Sequence, residues 1–232
     1  RKSMVMSEEE KRLTAYHESG HAIVAYFIEG SDPIHKATII PRGRALGLVM
    51  RLPEADRVSV TRQKLKADIA VAMGGRISEE LIFGYDKVTS GACSDIEQAT
   101  KMAKAMVREW GMSDEIGPIY LGGNSQDLYG SHHSKQNSDH MEDISDKEIK
   151  KIVMEGYNKA KEMLEKHQNE LHLLAKSLLE YETLSGDDIK DILSGKKIYR
   201  NYDNSANSNS EDSKPSSSFK KKKTSTENIS ES

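Results

Sequence analysis

Apolar residues recur at helical spacing through most of this chain, separated by short polar stretches rich in glycine. Ser7 and Glu10 form a Ser-x-x-Glu capping box, the mark of a helix start. Leu13, His17, Gly20, Val24 and Phe27 then share one helix face, and Gly30 supplies the stop. The pattern changes after Pro33. Thr38 to Ile40 reads as a short strand, Pro41, Gly43 and Gly47 punctuate, and "LGLVMRL" (46–52) reads as a second strand. A helix is predicted from about Thr61 to Phe83, with Leu65, Ile69, Met73 and Ile77 near one face. Gly74 and Gly75 within it either break the helix or permit close packing.

After the turn-rich "YDKVTSGACSD", a third helix carries Ile96, Ala99, Ala103, Met106, Val107 and Trp110 as its apolar stripe. Residues 122 to about 143 are polar and read as a mobile loop. Ser145 and Glu148 form another capping box, followed by Ile149, Ile152, Val153, Tyr157, Ala160 and Leu164. The stripe resumes at Leu171, Leu174 and Leu178 after a bend near His167, and a short last helix covers about 186–193. After Tyr202 the chain is mostly Ser, Asn, Lys and Glu, too polar to offset the entropy of ordering. The expectation is a mainly α domain over 1–200, with a small irregular β element beside the first helix, and a disordered C-terminal tail over 201–232.

Composition narrows the function classes. A net charge of -3 over 232 residues argues against a generally basic nucleic-acid binder. The run "FKKKK" (219–223) reads as a solvated charge run inside the tail, so no nucleic acid is expected. Cys93 is the single cysteine, which excludes a disulfide framework within the chain. No apolar run is long enough to span a bilayer and no signal peptide opens the chain. The first residue is Arg1, so we expect a piece of a longer protein.

The chemistry concentrates in "TAYHESGHAIVAYF" (14–27). His17 and His21 stand four apart on a predicted helix, so both rings project from one face and can hold one ion. Zinc suits imidazole nitrogen and takes three protein ligands at a catalytic site. Glu18 reaches the same region without needing to bind the ion, and can take a proton from a water attacking a carbonyl. This is the H-E-x-x-H arrangement of metal-assisted amide hydrolysis. The competing reading is a pair of hydrogen-bonded core histidines. Spacing alone leaves the third ligand open among His35, His132, His133, His140, Glu79, Glu80, Cys93 and Asp95. His132, His133 and His140 fall in the expected mobile loop, a poor support for fixed geometry.

Four blocks in order, "HESGH", "ATIIPRGRALGLVMRLPEADR", "GGRISEELIFG" and "TSGACSDIEQATKMAKAMVREWGMS", resemble the peptidase domain of the FtsH family, the ATP-dependent, membrane-anchored AAA+ zinc metalloproteases. The resemblance covers about residues 1–200. It implies a helical peptidase fold, one Zn2+ per chain, and zinc ligands at His17, His21 and Asp95, with Glu18 as the catalytic residue. It makes Glu79 an acid beside the site, a rival ligand or a support for one. It further implies a homohexamer acting on unfolded or membrane-protein substrates in protein quality control. Such a protein would be membrane-anchored, with this domain in the cytoplasm or an organelle's matrix or stroma. This stretch has no Gly-x-x-x-x-Gly-Lys-Ser/Thr motif and no membrane helix, so ATP is expected only in a full-length protein and the fragment should be soluble. One departure stands out: the usual motif has Ala where this chain has Ser19, whose hydroxyl is expected to bond back to a helical carbonyl.

A peptide cut at such a site must lie extended across the metal. "ALGLVMR" (45–51), with Leu46, Gly47, Leu48 and Val49, is the candidate edge strand for pairing with it; the alternative is an ordinary core strand. Two other functions compete with a zinc endopeptidase: a helical oligomerisation module with a structural zinc site, and a zinc aminopeptidase. A structural site would need no base such as Glu18 and is normally closed by four protein ligands.

Overall fold

The computed structural model describes residues 6–41, 43, 45–53, 55, 58–122, 138–196 and 198. The first helix, α1 (Glu8–Phe27), starts as its capping box requires: the Ser7 side chain accepts from the Glu10 amide, and the Glu10 carboxylate accepts from the Ser7 amide at 2.8 Å. It stops at Phe27 with Ile28 as C-cap, earlier than the expected stop at Gly30, which adopts φ +90° in the turn beyond. α2 (Arg62–Phe83) begins on an N-cap from Thr61 and runs unbroken through Gly74 and Gly75. Two short 3-10 turns (Tyr85–Lys87 and Ser90–Ala92) lead into α3 (Cys93–Arg108). α4 (Asp139–Lys166) and α5 (Gln168–Tyr181) meet at His167, and α6 (Gly186–Leu193) closes the series on a second capping box, Ser185 with Asp188.

The glycines of α2 serve close approach. A Cβ built on Gly20 would collide with the carbonyl oxygen of Gly74 and lie 2.6 Å from Ser78 Cβ; one built on Gly74 would lie 2.6 Å from the Gly20 carbonyl oxygen. The two backbones therefore touch where α1 and α2 cross, and Ser78 Oγ adds a hydrogen bond to the Tyr16 carbonyl at 2.6 Å. α5 packs on α1, while α3 and α4 pack on α2. Ile23, Ile69, Ile77, Met106, Leu164, Leu171, Leu174 and Leu178 fill the space between them and are fully buried. Each such aliphatic side chain contributes on the order of 1.5–3 kcal/mol.

The β element is a three-stranded antiparallel sheet ordered β2-β1-β3, with β1 (Ile34–Thr38), β2 (Leu48–Arg51) and β3 (Thr183–Ser185). β1 begins earlier than the expected Thr38–Ile40 because Ile34 pairs with Arg51 of β2, while β3 pairs along its other edge, Ala37 opposite Leu184 and Thr38 opposite Thr183. β3 is too short for any apolar period to show. β2 lies at an edge of the sheet.

Other expectations fail for definable reasons. α4 starts at Asp139 on a cap from Ser138, not at Ser145. Ser145 and Glu148 are interior polar residues: Ser145 Oγ accepts from Arg108 at 3.3 Å, and Glu148 accepts from Ser113 Oγ at 2.8 Å. Ile96 and Trp110, placed on the apolar stripe of α3, are 38% and 49% exposed. The expected loop falls largely, and the tail from 201 wholly, outside the described residues, as do His132 and His133. Among the described residues no helix is long and apolar enough to cross a membrane.

Ser19 contradicts its expected back-bond. Its side chain is fully buried and Oγ has no hydrogen-bond partner among the described residues. An unpaired buried hydroxyl costs about 1–3 kcal/mol. Ser19→Ala is therefore expected to stabilise the chain by about 1 kcal/mol, raising the melting temperature by about 2–4 °C in a domain this size. A calorimetric scan showing an unchanged or lowered midpoint would refute that accounting.

Candidate metal centre

His17 and His21 leave α1 on one face, and their positions are fixed from α2. His21 Nδ1 lies 2.7 Å from the Val71 carbonyl oxygen, which can only accept, so this nitrogen carries the proton. His17 Nδ1 lies 2.7 Å from Glu79 Oε1, a fully buried carboxylate, and donates likewise. Each Nε2 is thereby turned inward. The two Nε2 atoms stand 3.1 Å apart, with Asp95 Oδ2 3.3 Å from that of His17 and 3.5 Å from that of His21. Asp95 reaches them from the first turn of α3. This trio is the only group of metal-ligand type found among the described residues.

The donors fit a tetrahedral ion. Ligand bonds of about 2.0–2.1 Å place tetrahedral donors about 3.3–3.4 Å apart, close to the three observed separations. With both Nδ1 atoms protonated, neutral rings would aim two lone pairs and a carboxylate oxygen at one point, a donor set suited to a cation. Gly75 keeps the point clear: a Cβ there would lie 2.5 Å from His17 Nε2 and 2.6 Å from His21 Nε2.

The remaining predicted residues divide cleanly. Glu79 sits behind His17, on the nitrogen facing away from Asp95. Glu80 turns elsewhere and accepts from Tyr157 at 2.8 Å. His35 and His140 are exposed on β1 and α4, and Cys93 is exposed; none joins the trio. Glu18 is buried beneath the backbone before β2, where a Cβ on Gly47 would lie 2.5 Å from its Oε1. A cleft of about 430 Å³ runs past these groups, lined by Leu46, Gly47, Leu48 and Val49 on one side. Its lining also takes in Thr89, Gly91, Asp68 and Arg51.

Three features were not foreseen: the Val71 carbonyl, the clearance at Gly75, and a charge network under β2. Arg51 Nη1 donates to Asp68 at 2.6 Å, and Lys64 bridges Asp68 at 2.5 Å and Asp32 at 3.1 Å. This ties the end of the edge strand to α2. The i, i+4 spacing of Lys64 and Asp68 was the one available signal.

The electrostatics follow from burial and contact. Burial pushes the Glu18 carboxyl up, against the pull of His21 and His17, toward the range where a base both holds and releases protons. Burial also opposes ionisation of Asp95, but its hydrogen bonds with His17 and His21 hold it well below the ordinary aspartate range. Burial disfavours a charged His17, yet hydrogen bonds to Asp95 and Glu79 and the charge of Glu18 outweigh it and raise its pKa to about 10. In the metal-free chain a proton thus takes the cation's place. Its stabilising contribution is complete below the unfolded value of about 6.5 and is lost as pH rises toward 10. An NMR titration of the metal-free chain should find the His17 ring signals constant between pH 6 and 8. A midpoint near 6.5 would disprove the arrangement.

The chain is 60% identical over 199 residues to the ATP-dependent zinc metalloprotease FtsH of Rickettsia bellii, covering 85% of this chain and 31% of that protein. It is 50% identical over 198 residues to the protein of the same name from Caulobacter vibrioides, covering 84% and 32%. It is also 50% identical over 193 residues to the ATP-dependent zinc metalloprotease FTSH 11, chloroplastic/mitochondrial, of Arabidopsis thaliana, covering 83% and 22%. The chain spans about a third or less of the length of these relatives. Residues 4–192, nearly all the described fold, match peptidase family M41, and the chain belongs to that family.

Proposed function

We propose that this chain is a zinc-dependent endopeptidase unit that hydrolyses extended or unfolded polypeptide. The observation carrying the reading is the convergence of His17, His21 and Asp95 beside the buried Glu18 carboxyl, in a cleft bordered by an edge strand. His17, His21 and Asp95 would hold one Zn2+, and Glu79 would fix the His17 ring from behind. A bound zinc ion supplies a Lewis acid that makes water a better nucleophile and the scissile carbonyl a better electrophile. Glu18 takes the proton from the attacking water and delivers it to the departing amine. Gly47 brings the strand backbone directly over Glu18, so a peptide paired with residues 46–49 would have its carbonyl within reach of the base. Backbone pairing reads little sequence, which suits varied substrates.

Two structural points disfavour the alternatives. A structural zinc site would be closed by a fourth protein ligand, whereas here three donors face a cleft. An aminopeptidase needs a closed end that binds a free amine, whereas the lining of this cleft takes in α2 from Asp68 to Glu79, spanning the supports of both histidines. Beyond the chain, the relatives' names and its share of their length support a larger machine. In our reading an AAA+ ATPase elsewhere in the protein consumes ATP and feeds unfolded or membrane-protein substrates to this unit. The assembly is a membrane-anchored homohexamer, with the peptidase units in the cytoplasm or the corresponding organelle compartment.

Two experiments test this. Purified chain should carry about one zinc per molecule and digest casein, with digestion lost to chelator. Glu18→Gln should keep the zinc and lose at least about 10²-fold in rate, whereas Asp95→Asn should lose zinc far more readily than Glu79→Gln. Residual proteolysis near wild type in Glu18→Gln would sink the assignment. For the strand, Leu48→Pro should slow peptide cleavage about tenfold or more with zinc content unchanged, because proline removes a donor from the edge. Unaltered peptide kinetics would rule β2 out.

A further inference from the structure

Both oxygens of the Glu79 carboxylate are engaged, and they face different elements. Oε1 meets His17 Nδ1 at 2.7 Å, while Oε2 accepts from the Thr89 amide at 2.8 Å and from Thr89 Oγ1 at 3.1 Å. Thr89 Oγ1 also accepts from the Gly91 amide at 3.1 Å, capping the turn Ser90–Ala92. That turn runs directly into α3, where Asp95 is the third residue, and its Ala92 is fully buried. Asp95 then meets His17 Nε2 at 3.3 Å. The contacts form a closed circuit from α1 through α2 and the connecting turn to α3 and back to α1. Within it, α3 has no side-chain cap of its own, since Ala92 occupies the N-cap position.

We propose that Thr89 is a positioning residue for the third metal ligand: its hydroxyl, clamped by Glu79 and capping the following turn, holds the start of α3 so that Asp95 reaches the two histidines. This rests on the zinc-site reading above. Glu79 thereby orients two ligands, His17 directly and Asp95 through Thr89. The hydroxyl is essential because it donates to the carboxylate and accepts from Gly91 in one place. Valine has the same shape and can do neither, whereas serine can do both.

The test is zinc affinity of the full chain, measured by competition with a chromophoric chelator, with the melting curve of each metal-free variant taken alongside. Partners that orient metal ligands typically change affinity by about 10–100-fold. Thr89→Val should weaken zinc binding by that range and speed zinc loss. Thr89→Ser should bind within about threefold of wild type, which separates loss of the hydroxyl from general disruption. In an Asp95→Ala background, Thr89→Val should add less than about threefold, because the ligand it positions is gone. Wild-type affinity in Thr89→Val, or its full penalty persisting in the Asp95→Ala background, would overturn the proposal. So would a Thr89→Ser variant as weak as Thr89→Val. Failure of the wild-type chain to bind zinc would instead overturn the zinc-site reading itself.

Discussion

The structure depends on the backbone contact between α1 and α2. Gly20 and Gly74 face each other so closely that neither can carry a side chain, and the helices cross there, one residue before His21 and one before Gly75. Glycine costs a helix interior about 1 kcal/mol relative to alanine, and two such positions together are a sizeable fraction of a typical folding stability. The return on that cost is positional. At this separation a carbonyl of α2 can hold one imidazole, a carboxylate of α2 can hold the other, and the space above Gly75 stays open between them. A wider crossing, such as alanine would impose, would carry the supports away from the rings they steer.

Charge explains why the centre needs so much scaffolding. Three carboxylates, those of Glu18, Glu79 and Asp95, sit with two imidazoles in a largely buried volume. Removing ions from water is expensive unless each is paired and hydrogen-bonded. The solution here is a division of labour. Glu79 and Asp95 are tied to histidine and stay ionised, while Glu18, with weaker compensation, is pushed toward protonation. Environments that drive neighbouring carboxyls apart in this way separate a group that holds a charge from one that moves a proton.

Much of this was legible in the sequence, for local reasons. The capping boxes at Ser7 and Ser185, the helical stripes and the spacing of His17 and His21 all act within a turn or two of helix. The paired glycines announced either a break or a contact, and only the partner helix decides between them. What escaped local reading is set by distant chain. Asp95 lies 78 residues from His17 and was chosen by family resemblance, not by spacing. Ser145 and Glu148 imitate a helix start, yet their polar atoms serve Arg108 and Ser113 on other elements. Ser19 looked able to satisfy itself, but its hydroxyl remains unpaired.

The small sheet has a consequence for how the molecule comes into being. β2, which borders the cleft, pairs with β1 alone, and β1 in turn pairs along its other edge with β3, near the end of the described fold. The junction is reinforced by Glu182, which turns α5 into β3 with a left-handed backbone and whose carbonyl accepts from both the Ile39 amide and Thr38 Oγ1. These contacts span more than 140 residues. Pairings of such sequence separation close late, since loop entropy must be overcome before they stabilise anything. During synthesis, then, the two histidines leave the ribosome long before the strand that flanks them gains its full support. A nascent chain therefore carries His17 and His21 well ahead of the finished sheet that borders their cleft.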